Sequence, residues 1–422
     1  MNELKKIQDV NLTGKRVLMR VDHNVVKKGK IIDPYRIDAS LPTINYIIEQ
    51  GAKLILMSHV GRPKDKQTGK IGISEKSSVA PVVEYLKEKG IAIIALAIPA
   101  QGEFGIEHLD SKLVEKAFED EKLQAVYLPN TRWFKGEEAK DESREILGKE
   151  LADIADIFVN DAFGSWQPHA STILPAQYIP AYSGILMQKE VHHLDSVLNP
   201  QKPFVAVVAG SKFDTKIQPL SALLKRTDHL MLGGVIYNAY LSVKYGVQIA
   251  GVSEEDQLVA RDFVELTSQY PRKIIEPRFI IESDSLEGRF KGKYRTIDIK
   301  NLKEGDKLNY VLDIDKSSFQ QDEIKAIFAK AGTFFVNAVM GFTPHFTEGT
   351  IALDSLIAKN QKAIKLFGGG DTLQEFNTLL PEIYQQALID ELYYFFTGGG
   401  TILKAISESS VWGLEPVRIL KA

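Results

Sequence analysis

Apolar residues in this chain fall into short, almost unbroken runs, and the stretches between them carry the apolar stripe of amphipathic helices. The runs "RVLMRVD" (16–22), "KLILMSH" (53–59), "IAIIALAI" (91–98), "AVYLPN" (125–130) and "DIFVNDAF" (156–163) read as strands buried on both faces. Segments such as "SVAPVVEYLKEKG" (78–90) and "SREILGKELADIA" (143–155) lie between them and are long enough to be crossover helices. That alternation predicts parallel βαβ units. It restarts after "MQKEVHHLDSVLNPQKP" (187–203), where "FVAVVAGS", "HLMLGGV", "TFFVNAV", "AIKLFGGG" and "LYYFFTG" are strands of the same kind.

A chain of 422 residues exceeds the size at which one core usually keeps growing. The expected fold class is therefore α/β, with two Rossmann-like domains, each a parallel sheet flanked by helices, joined by a hinge helix. Residues 1–186 form the first domain, 187–203 the hinge helix and linker, and 204–404 the second. The tail 405–422 is expected to pack back on the first domain.

Ligands of such sheets bind beyond the carboxyl ends of the strands, so the residues that terminate strands are the informative ones. In the first half these are Asp22, His23 and Asn24, with Arg36 soon after, then His59, Gly61 and Arg62, then Asn130 and Arg132, then Asn160 and Asp161. Guanidinium groups suit bidentate recognition of phosphate and carboxylate, so Arg36, Arg62 and Arg132 converging on one mouth would make a pocket for a small polyanion. Any one of them alone could equally be a solvated surface residue. His23, beside Asp22, reads as a local structural hydrogen-bonder.

In the second half, "VVAGSKFDTKIQ" ends a strand with Gly210, Lys212 and Lys216 at a helix start. Two lysines four residues apart on a helical turn would share a face, and cations at a helix N-terminus imply a bound anion. "KLFGGGDTLQEF" (365–376) and "YFFTGGGTILKA" (394–405) each close a strand with three glycines and open a helix, about 30 residues apart. Gly369 and Gly370 would admit a phosphate to backbone N–H groups, Asp371 would offer a hard oxygen to Mg²⁺, and Thr372 a hydroxyl. Gly398 and Gly399 would line the same crevice. Either glycine run alone could be a plain tight turn. The pattern lacks GxxxxGK[ST], which excludes a P-loop NTPase.

Totals narrow the class further. The net charge of −3 argues against a nucleic-acid partner, and the absence of cysteine excludes disulfides, thiolate zinc sites and a catalytic thiol. The longest apolar stretch, 91–98, is too short to span a bilayer. The expectation is a soluble cytoplasmic protein with no membrane partner.

Taken together, "GKRVLMRVDHNV", "GAKLILMSHVGRP", "VNDAFG", "SKFDTKI", "GGGDT" and "TGGG" resemble phosphoglycerate kinase in order and spacing, from about residue 5 to the end. The resemblance implies Mg²⁺-dependent in-line phosphoryl transfer between 1,3-bisphosphoglycerate with ADP and 3-phosphoglycerate with ATP, in glycolysis, by a monomer whose hinge closes before chemistry. By position, Asp22, Asn24, Arg36, His59, Arg62, Arg132 and His169 would hold 3-phosphoglycerate. Gly210, Lys212, Lys216, Asn337, Gly369, Gly370, Asp371, Thr372, Gly398 and Gly399 would hold the nucleotide, with Asp371 on the metal. Arg36, Lys212 and Lys216 would be catalytic.

Several stretches depart from the family's pattern. "GSWQPHAS" lacks an arginine, "NAVMGFTP" lacks the glutamate expected at the ribose, and "DIDKSS" (313–318) places Asp315 where glycine backbone is expected. "PNTRW" and "FTGGGTILK" are altered too. The changes leave open a paralogue with a binding or regulatory role, or a kinase with another acyl phosphate or nucleotide.

Overall fold

The computed structural model describes residues 3–211, 213 and 216–422. They divide into two units, 1–192 with 411–422 and 193–410.

The first unit is built on six parallel strands, β1 (Arg16–Arg20), β2 (Lys53–Met57), β3 (Ile93–Ala95), β4 (Ala125–Tyr127), β5 (Ile157–Asn160) and β6 (Ala181–Ser183), in the order β3-β4-β2-β1-β5-β6. β1 and β2 pair in register from Arg16 with Lys53 to Arg20 with Met57. Val17, Met19, Leu54 and Leu56 are sealed on one face beneath α1 (Tyr35–Glu49) and α2 (Ala80–Glu88), whose inward residues Ile37, Ile44, Val82 and Leu86 belong to the same core. Coverage on both faces is why these strands read as apolar runs rather than alternations. On α3 (Glu142–Asp153) the Asp141 carboxylate caps the first turn by accepting from Ser143 N. The chain's two ends meet in this unit, with Lys5 N–H donating to Leu420 O at 2.8 Å. The boundary between the units falls inside α4 (Ile185–Leu198).

The second unit contains two sheets. One comprises β7 (Phe204–Gly210), β8 (His229–Gly233), β10 (Ile274–Ile275), β14 (Thr333–Asn337), β15 (Ile364–Gly368) and β16 (Tyr393–Phe396), all parallel, in the order β10-β8-β7-β14-β15-β16. Its helices include α5 (Ile217–Arg226), α6 (Gly234–Tyr245), α7 (Glu348–Ala358), α8 (Gly370–Leu379) and α9 (Gly399–Glu408). The other sheet joins β9 (Gln248–Ala250), β11 (Phe279–Ser283), β12 (Tyr294–Asp298) and β13 (Lys307–Ile314) in the order β9-β13-β11-β12. β11 runs antiparallel to both β12 and β13.

The parallel sheets agree with the expected α/β class. The mixed sheet was not expected, because β12 is largely exposed and β13 alternates at its start, so neither stands out as an apolar run.

Candidate functional site

In the first unit, the residues beyond β1 and β2 form one cluster around a buried arginine. Arg20 is fully buried at the end of β1; its Nε donates to Ser171 Oγ at 3.0 Å and Nη2 contacts His59 Nδ1 at 3.0 Å, while Nη1 donates to the Val21 carbonyl. The compensating charge is Glu137, 1% exposed, which accepts from Ser171 N at 2.9 Å and from Ser171 Oγ at 2.7 Å. A guanidinium only donates, so His59 Nδ1 must accept and the ring proton sits on Nε2. Burial, then the charges of Arg20 and Arg132, push the His59 pKa well below its ordinary value. His59 is thus a neutral N–H donor among cations.

Arg36, in the first turn of α1, would suffer the helix dipole there but pairs with Asp22 at 3.3 Å. The other oxygen of Asp22, Oδ1, is buried without a hydrogen-bond partner. Asn24 Oδ1 accepts from Gly61 N at 2.9 Å, and Arg132 donates from Nη1 to Gly61 O at 2.5 Å while its Nε lies 2.8 Å from Glu138. His169 donates from Nε2 to Gln167 Oε1 at 2.9 Å and lies 3.8 Å from Glu138; burial lowers its pKa, with Glu137 and Glu138 opposing.

The structure therefore brings Asp22, Arg36, His59, Arg132 and His169 to one end of the sheet. Arg62 is exposed, and among the described residues its guanidinium joins no hydrogen bond or ion pair. Asn130, Asn160 and Asp161 are braces: Asn130 binds Val60 through both N and O, Asn160 caps Ala162, and Asp161 accepts from Met187 N. His23 is enclosed by Tyr127 and Ser40, each at 2.9 Å, and burial pushes its pKa down to about 3, which agrees with a structural role.

In the second unit, the ends of β7, β14 and β15 enclose a cavity of ≈ 430 Å³, within the range of small-molecule sites. Its lining is in part polar, with Gly210, Lys216, Asn337, Gly369, Gly370, Asp371 and Thr372, and in part apolar, with Val235, Val311, Leu312, Met340 and Phe342. Lys216 donates to Ala209 O at 2.6 Å and to Asn337 Oδ1 at 2.9 Å, and Asn337 Nδ2 donates in turn to Gly368 O. Burial lowers the Lys216 pKa to about 8, with the Asp371 charge opposing. Gly369 precedes α8 at φ +113, a conformation closed to most side chains.

One expectation needs correction here. Gly398 and Gly399 do not line the cavity; a Cβ on Gly399 would lie 2.6 Å from Gly369 Cα, so α9 starts against the back of the glycine turn and holds it. The helix after β7 begins at Ile217, with Lys216 as its N-cap. Lys212 itself lies outside the described residues. Phe213 is buried against Phe263 and donates its N–H to Asp256 Oδ1.

The phosphoglycerate kinase family model matches residues 7–409. The chain belongs to this family. A phosphoglycerate kinase of Roseiflexus sp. (strain RS-1) is 34% identical over 409 residues, covering 95% of this chain and 96% of that one. That of Dictyoglomus turgidum is 33% identical, covering 97% and 96%. Among solved structures, phosphoglycerate kinase from Coxiella burnetii superimposes with a TM-score of 0.74 at 30% identity, covering 99% of each chain. The enzyme from Pyrococcus horikoshii, at 23% identity and TM-score 0.76 with 99% of each chain covered, shares the fold.

Within a phosphoglycerate kinase frame, the departures have local explanations. Asp315 is turned away from the cavity, accepting from Ser317 N and Thr296 Oγ1 at 2.9 Å each. Where the family's ribose glutamate is missing, Pro344 follows Thr343, and Glu375, one turn after Asp371, interacts with the Thr343 side chain; burial raises its pKa. Gln167 of "GSWQPHAS" orients His169, and Arg144 donates to Pro168 O at 3.0 Å. Sequence reasoning missed Arg20, Glu137 and Ser171. The available signal was an arginine inside an apolar strand, since such residues are seldom fully buried unless paired.

Proposed function

We propose that this chain is a phosphoglycerate kinase that moves a phosphoryl group between 3-phosphoglycerate with MgATP and 1,3-bisphosphoglycerate with MgADP, with the glycerate in the first unit and the nucleotide in the second. The observation that carries this reading is Lys216: a desolvated ammonium, aimed by two acceptors, at the turn where Gly369 and Gly370 open α8. A half-buried cation whose two hydrogen-bond acceptors are both neutral is suited to take an anion.

The phosphate chain would lie on the α8 N-terminus, against the N–H groups of Gly370 and Asp371, with the Thr372 hydroxyl beside it. Among the described residues no cluster of three or more acidic or histidine side chains forms a closed metal cage. One carboxylate, Asp371, fits Mg²⁺ that takes its remaining ligands from phosphates and water. When bound, Mg²⁺ would neutralise charge on the phosphate oxygens.

On the glycerate side, Asp22 Oδ1 would accept from the substrate hydroxyl, while His59 Nε2–H, Arg132, Arg62 and His169 would hold the phosphate and carboxylate, with Asn24 shaping the Gly61 turn. In transfer, a carboxylate oxygen of 3-phosphoglycerate forms the new bond to the γ-phosphorus as the bond to the ADP oxygen breaks. Arg36, Lys216 and Lys212 would meet the charge on the transferring group, and no proton acceptor is needed. Positioning and neutralisation account for the rate in such reactions. Accordingly, Arg36→Ala and Lys216→Ala should each lower kcat at least about a hundredfold, and Thr372→Ala about tenfold or less. Equal, small losses in all three would contradict the assignment.

A further inference from the structure

Besides Asn337, the second-unit cavity is lined by a second buried amide, Asn238, whose orientation is determined by its neighbours. Asn238 lies on α6 one turn beyond Gly234, so both present the same helical face to the cavity. It is 6% exposed, and its Nδ2 donates to the Val311 carbonyl at 2.9 Å. A carbonyl accepts only, so the amide cannot be turned the other way round. Among the described residues no hydrogen bond occupies its Oδ1, which leaves that acceptor for a ligand of the cavity.

The carbonyl that aims it is supplied by an irregularity in the mixed sheet. Ile281 pairs with Asp313 and Glu282 with Val311, so Leu312 has no partner across the ladder. Such a bulge re-aims the groups beside it. Leu312 O accepts instead from Phe342 N at 2.7 Å, which ties β13 to the loop after β14, and Phe342 stays 44% exposed at the cavity. Lys216 and the glycine turn line the same cavity, so a nucleotide with its phosphates on them would bring its base to Asn238.

We infer that Asn238 selects the purine by the group at position 6: Oδ1 accepts from the amino group of a 6-aminopurine and opposes the carbonyl oxygen of a 6-oxopurine. A site that hydrogen-bonds one substituent discriminates more strongly than an apolar slot that only fits its shape. The inference rests on the cavity being the nucleotide site, and the test separates the two ideas.

Calorimetry on the full chain with MgADP and MgIDP should give at least about tenfold tighter binding of the 6-amino nucleotide. Asn238→Leu should bring the two within about threefold of each other, mainly by weakening MgADP. Asn238→Thr, whose hydroxyl can still donate to Val311 O without extending to the base, should do the same and covers the case in which the leucine variant fails to fold. Equal affinities in the wild type, or an unchanged ratio in a folded variant, overturn the role of Asn238 alone. Failure of the wild type to bind either nucleotide overturns the cavity's assignment, and the inference with it.

Discussion

Lys216 sits in surroundings that disfavour its own charge, and that gives a pH signature. Its pKa is lowered to about 8 by burial, so the free protein holds the ammonium below that value and loses it above. Phosphate binding needs the charged form. The account therefore expects kcat/KM for MgATP, which reports groups of the free enzyme, to fall as pH rises through about 8. Lys216→Arg should lack that limb, because a guanidinium stays protonated; an identical limb in the arginine variant would assign it elsewhere. Residues of this kind were partly legible in the sequence. Lys216, Asp371 and Arg36 end strands or open helices, where chemistry is expected. Arg20, Glu137 and Asn238 were not, since each sits inside a helix, strand or loop whose pattern says only "buried", and its partners are distant in sequence.

The two glycine runs turn out to do different work at the level of elements. Gly369 and Gly370 face the cavity, whereas Gly399 lets α9 start in contact with that turn. Gly399→Ala should cost about 1–3 kcal/mol by overpacking, read as a lower denaturant midpoint, and should weaken nucleotide binding by displacing the turn. An unchanged midpoint and affinity would show that the contact is slack. A second prediction concerns α7, which carries Asp354 at 3% exposure, with Oδ1 unpartnered and the pKa raised well above the ordinary carboxylate value by burial. The unfolded chain gives up that proton near pH 4 and the folded chain keeps it, so stability falls as pH rises from there to the folded value and stays lowered beyond it. Asp354→Asn should raise the unfolding free energy at pH 8 by about 1–2 kcal/mol, read as a higher denaturant midpoint; a lower midpoint would mean the carboxyl makes a needed contact. Buried parallel strands were visible as apolar runs such as "FVAVVAGS". The mixed sheet was not, because a one-sided antiparallel sheet dilutes its apolar residues with polar ones, as in β12.

At the scale of the molecule, the chain divides into two units, 1–192 with 411–422 and 193–410, and the restart of the apolar pattern after residue 203 is what suggests two domains in the sequence. Sequence could not show how residues far apart combine, such as the tail at Leu420 bonding Lys5. If each unit binds its own substrate, Arg36→Ala should leave MgADP affinity unchanged and Lys216→Ala should leave 3-phosphoglycerate affinity unchanged, both by calorimetry. Loss of both ligands from either variant would place the two sites on shared residues. Turnover is the most direct measurement: formation of ADP from MgATP and 3-phosphoglycerate, followed by coupling to an oxidation or by phosphorus resonance. The account predicts stoichiometric ADP and acyl phosphate, dependent on both substrates. Binding of both substrates without any ADP would contradict it.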